Sequence, residues 1–131
     1  MTHWADKYVG LPAQGKWPCW QLVRSVWVKE LDFNLPSFEE QDLPEGAIAL
    51  GDREFHRVSP GSHQPFDAVM MYTPRLKKLG GYGKVEAHIG IIVKDDLVLH
   101  VHIGYTSSIE SLKGLAVSRI IRGPWKLKNE S

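Results

Sequence analysis

The chain has 131 residues, of which 43% are hydrophobic and 24% are charged, and this size and composition are typical of one globular domain rather than of a disordered chain. Its 16 basic and 15 acidic residues give a net charge of +1, unlike the clearly basic balance of nucleic-acid-binding domains. No segment approaches the roughly 18 apolar residues of a membrane helix, and the first residues lack a secretory-signal pattern. We therefore expect a single domain over residues 1–131 that is made in the cytoplasm, binds no nucleic acid and does not insert into membranes.

The first predicted element is a helix that begins close to Cys19. Apolar residues recur at helical spacing over Pro18–Leu31, and Pro18 suits the first helical turn because its missing N–H would be unpaired there in any case. The following residues, 32–65, are polar and contain prolines. Within them we predict a short helix around Pro44–Phe55 and a turn at Ser59–Ser62.

Four short β-strands are predicted in the second half of the chain, where apolar runs become β-branched or aromatic and are bounded by Gly, Pro or Asp. Asp95 and Asp96 lie between two of these runs and predict a tight hairpin. Helices followed by strands favour an α+β fold, with the helices packed on one face of an antiparallel sheet. The four runs are Phe66–Tyr72, Val85–Val93, Leu97–Ile103 and Val117–Ile121.

Cys19 is the only cysteine in the chain, which excludes a disulfide within the chain and any zinc site built from several cysteines. A thiol in the first turn of a helix lies near unpaired N–H groups and the positive end of the helix dipole. These lower its pKa and activate it as a nucleophile. The alternative is that Cys19 packs in the core as a small hydrophobic residue. The nucleophilic interpretation requires a base elsewhere in the chain.

Two histidines are placed to act with Cys19. His88 opens one apolar strand, and His100 ends the apolar run of the next. A hairpin turn at Asp95-Asp96 pairs residues whose numbers add up to about 190, so His88 faces about residue 102 and His100 lies diagonally beside it. The sequence therefore predicts a Cys-His-His arrangement that supplies a nucleophile, a base and a residue that orients the base.

His102 supports an alternative interpretation. His100 and His102 are two residues apart on a strand and point to the same face. Together with His88 they can supply three ligands to a zinc ion whose fourth position holds water. This alternative is the weaker one because a three-histidine zinc site does not explain why Cys19 lies at the start of a helix.

Aromatic residues flank the cysteine and suggest a substrate groove. Trp17 and Trp20 are candidates for its walls, although tryptophans more often pack in the hydrophobic core. His102, one pleat beyond His100, is a further candidate for contact with substrate.

The order of several short motifs resembles that of the NlpC-type cysteine peptidases, particularly their phage-tail branch. Pro18–Arg24 is similar to the Asp-Cys-Trp-Gly-Leu-Val motif that carries the nucleophile in that family, and His88–Ile91 is similar to its His-Val-Gly-Ile strand, which carries the general base. The resemblance spans most of the chain, from Trp4 to Arg122. Three other segments match in order, namely the opening Trp4–Pro12, the strand Phe66–Val69, and Val98–His100, which corresponds to the segment with the third polar residue.

This resemblance implies a papain-like α+β fold and an endopeptidase that cleaves the peptide stems of bacterial peptidoglycan. It implies Cys19, His88 and His100 as catalytic residues, with no metal or organic cofactor. It further implies delivery by a phage or phage-like tail, so that the partners would be peptidoglycan peptides and other tail-tip proteins, and the place of action the host cell wall.

Three positions depart from the family pattern. Pro18 replaces the Asp before the cysteine, Gln21 replaces the Gly two residues after it, and Ala13 replaces an aromatic residue that helps to shape the substrate site. These departures motivate a second hypothesis, a structural tail-tip or assembly protein with the same fold and little or no activity. Acyl transfer on the same scaffold is a third, which differs only in the acceptor.

Overall fold

The structure is a computed structural model that describes residues 3–13, 18–33, 55–74, 84–102 and 104–123. Apart from Phe55, the helix predicted around Pro44–Phe55 lies outside these residues. In chain order the elements are a 3-10 helix at Trp4–Tyr8, helix α1 at Pro18–Leu31, strands β1 (His56–Val58), β2 (Ala68–Pro74), β3 (Lys84–Lys94), β4 (Leu97–His100) and β5 (Ser108–Ser111), a 3-10 turn at Leu112–Gly114, and strand β6 (Val117–Arg122).

The strands form one six-stranded sheet in the order β1-β6-β2-β3-β4-β5. Every neighbouring pair in it is antiparallel. Helix α1 packs on one face and contacts β3 and β4. The predicted α+β architecture is therefore confirmed. Within the described part of the chain, no helix has the length and apolar character to cross a membrane.

Helix α1 forms because its apolar side chains recur every three or four residues and face the sheet. Leu22, Val23, Val26 and Trp27 are buried in this interface. Trp27 also donates from its indole nitrogen to the carbonyl of Phe66, at 3.0 Å. This hydrogen bond ties the middle of the helix to the residues that lead into β2, and so fixes the helix relative to the sheet.

The other face of the sheet carries a second, smaller apolar cluster that includes Ile92, Val98 and Ile120. Because side chains alternate along a strand, Gly90 lies on the same face of β3 as Ile92. A Cβ atom on Gly90 would stand 2.6 Å from Cγ1 of Val98 and 3.0 Å from a backbone oxygen. The close approach of β4 at this point therefore requires glycine.

Asp67 joins the start of β2 to the end of β6. Its side chain is 1% exposed and accepts two hydrogen bonds from the Arg122 guanidinium, each 2.8 Å long. It also accepts from the backbone N–H of Gln64 at 2.8 Å. A buried carboxylate needs this full set of partners, because an unpaired buried charge is costly.

The N-terminal segment is tied to the loop between β4 and β5. Gly10 donates to the carbonyl of Ser107 and Ser107 donates back to that of Leu11, both at 2.8 Å, and Ala13 donates to the carbonyl of Tyr105 at 3.0 Å. The buried Ser107 hydroxyl accepts from the N–H of Leu11 and donates to the carbonyl of Tyr8. Residues 8–13 thus act as a strap over the loop that follows β4.

Two predicted strand boundaries are wrong. The run Phe66–Tyr72 becomes strand only from Ala68, because Phe66 has a φ of 76°, which no strand accommodates. The run Leu97–Ile103 ends at His100, since Tyr105 turns back to hydrogen-bond the carbonyl of His102 at 3.0 Å.

Candidate active site

Cys19 lies in the first turn of α1, where the helix meets β3. The residue is buried, with 6% of its surface exposed, and the backbone N–H of Ile89, the residue after His88, lies within hydrogen-bonding range of the sulfur. The helix start therefore holds the thiol beside the strand that carries His88.

The expectation that the helix start lowers the pKa of Cys19 is wrong in its net direction. Burial raises the pKa of the thiol to about 11, and hydrogen bonds from the backbone of Ile89, Trp20 and Cys19 itself offset only part of this effect. Removal from water destabilises the thiolate of Cys19 more than hydrogen bonds from a few N–H groups stabilise it. Cys19 is therefore a neutral thiol at neutral pH.

The hairpin that brings the histidines together has the predicted register. Ile91 pairs with Leu99 and Ile92 with Val98, so the residue numbers add up to 190 as the turn at Asp95 and Asp96 requires. A bulge follows between Ile92 and Lys94. This register places the end of β4 beside the middle of β3.

His88 and His100 form a buried hydrogen-bonded pair. Nε2 of His88 lies 2.9 Å from Nδ1 of His100, and their rings are inclined at 66°. His102 is exposed, and its ring is stacked on that of His88 with the centroids 4.5 Å apart. The structure thus brings together all three histidines that the sequence selected, whereas the described contact of Cys19 with β3 is with the backbone of Ile89 and not with the ring of His88.

Burial keeps both members of this pair uncharged. It lowers the pKa of His88 to about 3, with smaller contributions from His102 and His100. Burial also lowers the pKa of His100, although the neighbouring Glu110 acts in the opposite direction. At neutral pH the two rings are therefore neutral imidazoles, and the free nitrogen of such a ring can accept a proton.

The three histidines also bear on the zinc alternative. One ligand atom from each of His88, His100 and His102 lies within 4.8 Å of the others. However, the planes of the His88 and His102 rings are only 12° apart, so their in-plane lone pairs do not converge on one point. A single ion bound by all three would require one ring to turn and the bond between His88 and His100 to break. The arrangement favours a hydrogen-bonded pair over a metal centre.

The predicted substrate-binding residues have different surroundings. Trp20 is 1% exposed and belongs to the core between helix and sheet, so its burial favours the core-forming alternative over a groove wall. Trp17 lies outside the described residues. His102 is exposed beside the buried pair, where it can meet a ligand.

Glu110 is a neighbour of the site that the sequence analysis missed. It lies on β5, and its Oε1 is 3.2 Å from Nε2 of His100. The contact depends on the pairing of β4 with β5, which aligns His100 with Ser108 and Val98 with Glu110. The short run Ser108–Ser111 carries no strand pattern strong enough to predict this pairing.

The chain matches no family model and no curated protein sequence. Its fold is similar to that in the crystal structure of the NlpC/p60 domain of the peptidoglycan hydrolase SagA, with a TM-score of 0.55 and 19% sequence identity. The match covers 90% of this chain and 92% of that one. At this identity the likeness establishes the fold. The chain has the papain-like α+β fold that its motifs imply.

Proposed function

We propose that this chain is a cysteine peptidase that hydrolyses amide bonds in the peptide stems of peptidoglycan. The observation that carries the proposal is the buried hydrogen bond between His88 and His100. His88 lies on β3, and the backbone of the next residue on that strand, Ile89, contacts the Cys19 thiol. Thiol-peptidase chemistry requires a nucleophile, a base and a residue that orients the base, and we assign these roles to Cys19, His88 and His100. The support for the substrate class is the similar fold of the NlpC/p60 domain of the peptidoglycan hydrolase SagA.

In the proposed reaction, the sulfur of Cys19 attacks the amide carbonyl while His88 takes the thiol proton. The C–N bond then breaks, His88 returns the proton to the leaving amine, and an acyl thioester remains on Cys19. Water attacks the thioester with His88 again as base, which releases a carboxylic acid and restores the thiol. Backbone N–H groups at the helix start, including that of Cys19, are the proposed donors to the oxyanion.

The resting charges determine how this reaction begins. Because the pKa of Cys19 is raised to about 11 and that of His88 is lowered to about 3, the free protein holds a neutral thiol and a neutral imidazole. Proton transfer therefore accompanies attack on the substrate rather than preceding it. His100 stabilises the imidazolium as it forms, through the hydrogen bond to Nε2.

We further propose that the protein works as part of a phage or phage-like tail. The support is the sequence resemblance of Pro18–Arg24 and His88–Ile91 to the phage-tail branch of the NlpC-type peptidases. Mass spectrometry of purified particles from a producing strain tests the proposal. It predicts that the chain copurifies with tail proteins, and its absence from intact tails would overturn this assignment without affecting the chemistry.

The decisive experiment for the reaction is incubation with purified peptidoglycan, followed by mass spectrometry of the released peptides. The wild-type protein should release stem fragments with new amino and carboxyl termini, and Cys19→Ala should not. Once circular dichroism shows that both proteins have the same fold, a difference between them reports the thiol.

A second candidate function, a structural tail-tip protein with little or no activity, is favoured by one observation. Cys19 is only 6% exposed, as expected for a thiol that serves only to pack. If peptidoglycan and synthetic stem peptides remain intact with wild-type protein, the result contradicts the peptidase function and favours the structural role.

A further inference from the structure

One nitrogen of the buried histidine pair lacks a hydrogen bond in the described part of the chain. Nε2 of His100 is buried without a hydrogen-bond partner among the described residues, and the His100 side chain is 0% exposed. The nearby Glu110 carboxylate lies 3.2 Å away. Its side chain is 47% exposed.

The register of β4 and β5 explains why this carboxylate is within reach. His100 pairs with Ser108 and Val98 pairs with Glu110, so His100 and Glu110 are diagonal neighbours on one face of the sheet. Strand β5 is the last strand of the sheet. The carboxylate therefore lies between the buried imidazole and solvent.

The proton positions in this chain of groups depend on one another. The bond between Nε2 of His88 and Nδ1 of His100 needs one donor and one acceptor. If His100 carries its proton on Nε2, its Nδ1 is the acceptor and the proton of His88 must be on Nε2. Nδ1 of His88 then has the free lone pair that a base requires. The opposite arrangement protonates Nδ1 of His88 and removes the base.

We propose that Glu110 is a positioning residue that selects the productive arrangement: its carboxylate accepts the Nε2 proton of His100 and thereby fixes the proton of His88 on Nε2. A carboxylate can only accept a hydrogen bond from a neutral ring, so it favours this tautomer directly. This role rests on the proposed peptidase function, but the tautomers can be measured without it.

The first test compares substitutions of Glu110 that keep or remove the acceptor. Glu110→Gln retains an amide oxygen and should keep kcat close to the wild-type value. Glu110→Leu and Glu110→Lys provide no acceptor, and each should lower kcat at least roughly 10-fold with little change in KM, because a base held in the wrong tautomer is inactive. Equal kcat values for all four proteins would overturn the proposal.

The second test asks whether Glu110 acts through His100. If it does, Glu110→Leu should lower kcat in the wild-type protein but cause no further loss in the His100→Ala background, since effects that share one partner are not additive. Independent, multiplying losses would show that Glu110 acts elsewhere and would overturn the proposal.

The third test does not depend on activity. The ¹⁵N chemical shifts of the His88 and His100 rings distinguish protonated from unprotonated nitrogens. The wild-type protein and Glu110→Gln should show Nε2–H on both rings, and Glu110→Leu should shift both toward Nδ1–H. Inactive wild-type protein with these shifts would reject only the peptidase function. Unchanged tautomers in Glu110→Leu would reject the role of Glu110 even in an active enzyme.

Discussion

The His88 ring contacts His100 and His102 in two different ways. His100 hydrogen-bonds the Nε2 edge of His88 at 2.9 Å, whereas His102 lies over the face of that ring with the planes 12° apart. An edge contact can fix a tautomer and stabilise a positive charge on the ring. A stacked, exposed ring can do neither through a hydrogen bond. The two neighbours should therefore have different effects on catalysis.

We expect His100→Ala to lower kcat roughly 10- to 10⁴-fold with KM little changed, as for other residues that orient a catalytic base. His102→Ala should affect kcat much less and act on KM if it acts at all. Steady-state kinetics on the two variants, with a soluble stem peptide as substrate, compares them directly. A larger loss of kcat in His102→Ala would show that the third catalytic residue is His102.

Removal of the thiol should abolish hydrolysis while leaving the fold intact. Cys19→Ala deletes one small side chain at a helix end, and losses of about 10⁴-fold or more are typical when a nucleophile is removed. Circular dichroism and thermal unfolding provide the control for folding. Substantial turnover by folded Cys19→Ala protein would contradict the mechanism.

Alkylation of Cys19 by iodoacetamide should be slow at pH 7 and accelerate as the pH rises. The reactive species is the thiolate, and burial places the pKa of Cys19 at about 11. The rate should rise about tenfold for each pH unit below that value. A free cysteine in the same solution is the control, and faster labelling of Cys19 than of this control at pH 7 would contradict the raised pKa.

Purified protein should contain no stoichiometric zinc, and EDTA should leave its activity unchanged, since attack by a thiol assisted by an imidazole needs no Lewis acid. Elemental analysis after dialysis measures the metal content. One zinc ion per chain, lost in His88→Ala, would instead support the three-histidine metal site.

The fold should lose stability in acid because of His88. Its pKa falls from 6.5 in an unfolded chain to about 3 in the folded protein, so below pH 6.5 the unfolded state binds a proton that the folded state excludes. The contribution of neutral His88 to the free energy of unfolding is fully present above pH 6.5 and is lost as the pH falls toward 3. At pH 5 the cost is about 2 kcal/mol. Urea unfolding at pH 5 and pH 7.5 measures it, and His88→Gln should reduce the difference. If the unfolding free energy of His88→Gln changes as much between the two pH values as that of the wild-type protein, other titrating groups cause the loss of stability.

Gly90→Ala should destabilise the protein by about 1–3 kcal/mol, the usual cost of an extra carbon in a packed core. The new Cβ would meet the buried, β-branched Val98 at 2.6 Å, which has little freedom to move. Gly114→Ala is the matched control, because no atom lies within 4 Å of its Cβ position, and its effect should stay within about 0.5 kcal/mol. Similar unfolding free energies for both variants would contradict the close contact.

The features that the sequence predicts correctly are local ones. Helix α1 follows from the spacing of its apolar residues, and the pairing of Ile91 with Leu99 follows from the hairpin turn. Strand β5 was missed because Ser108–Ser111 has no apolar alternation and is a strand only through its pairing with β4. Strand β1 is likewise three residues long and depends on pairing with β6.

The pKa of Cys19 was misjudged for a related reason. The helix dipole is a local property and can be inferred from the position of Pro18. Desolvation depends on how tightly the helix start packs against β3, which no local pattern reports. The same limit applies to Glu110, whose distance from His100 is set by the pairing of two strands.

The strap formed by residues 8–13 has a practical consequence for handling the protein. Its hydrogen bonds to Ser107 and Tyr105 hold the loop that runs from His102 toward Glu110. An affinity tag joined to the N-terminus would therefore lie only a few residues before a segment that is hydrogen-bonded to the loop that follows β4. Kinetic comparisons of the variants above should use protein from which any such tag has been cleaved.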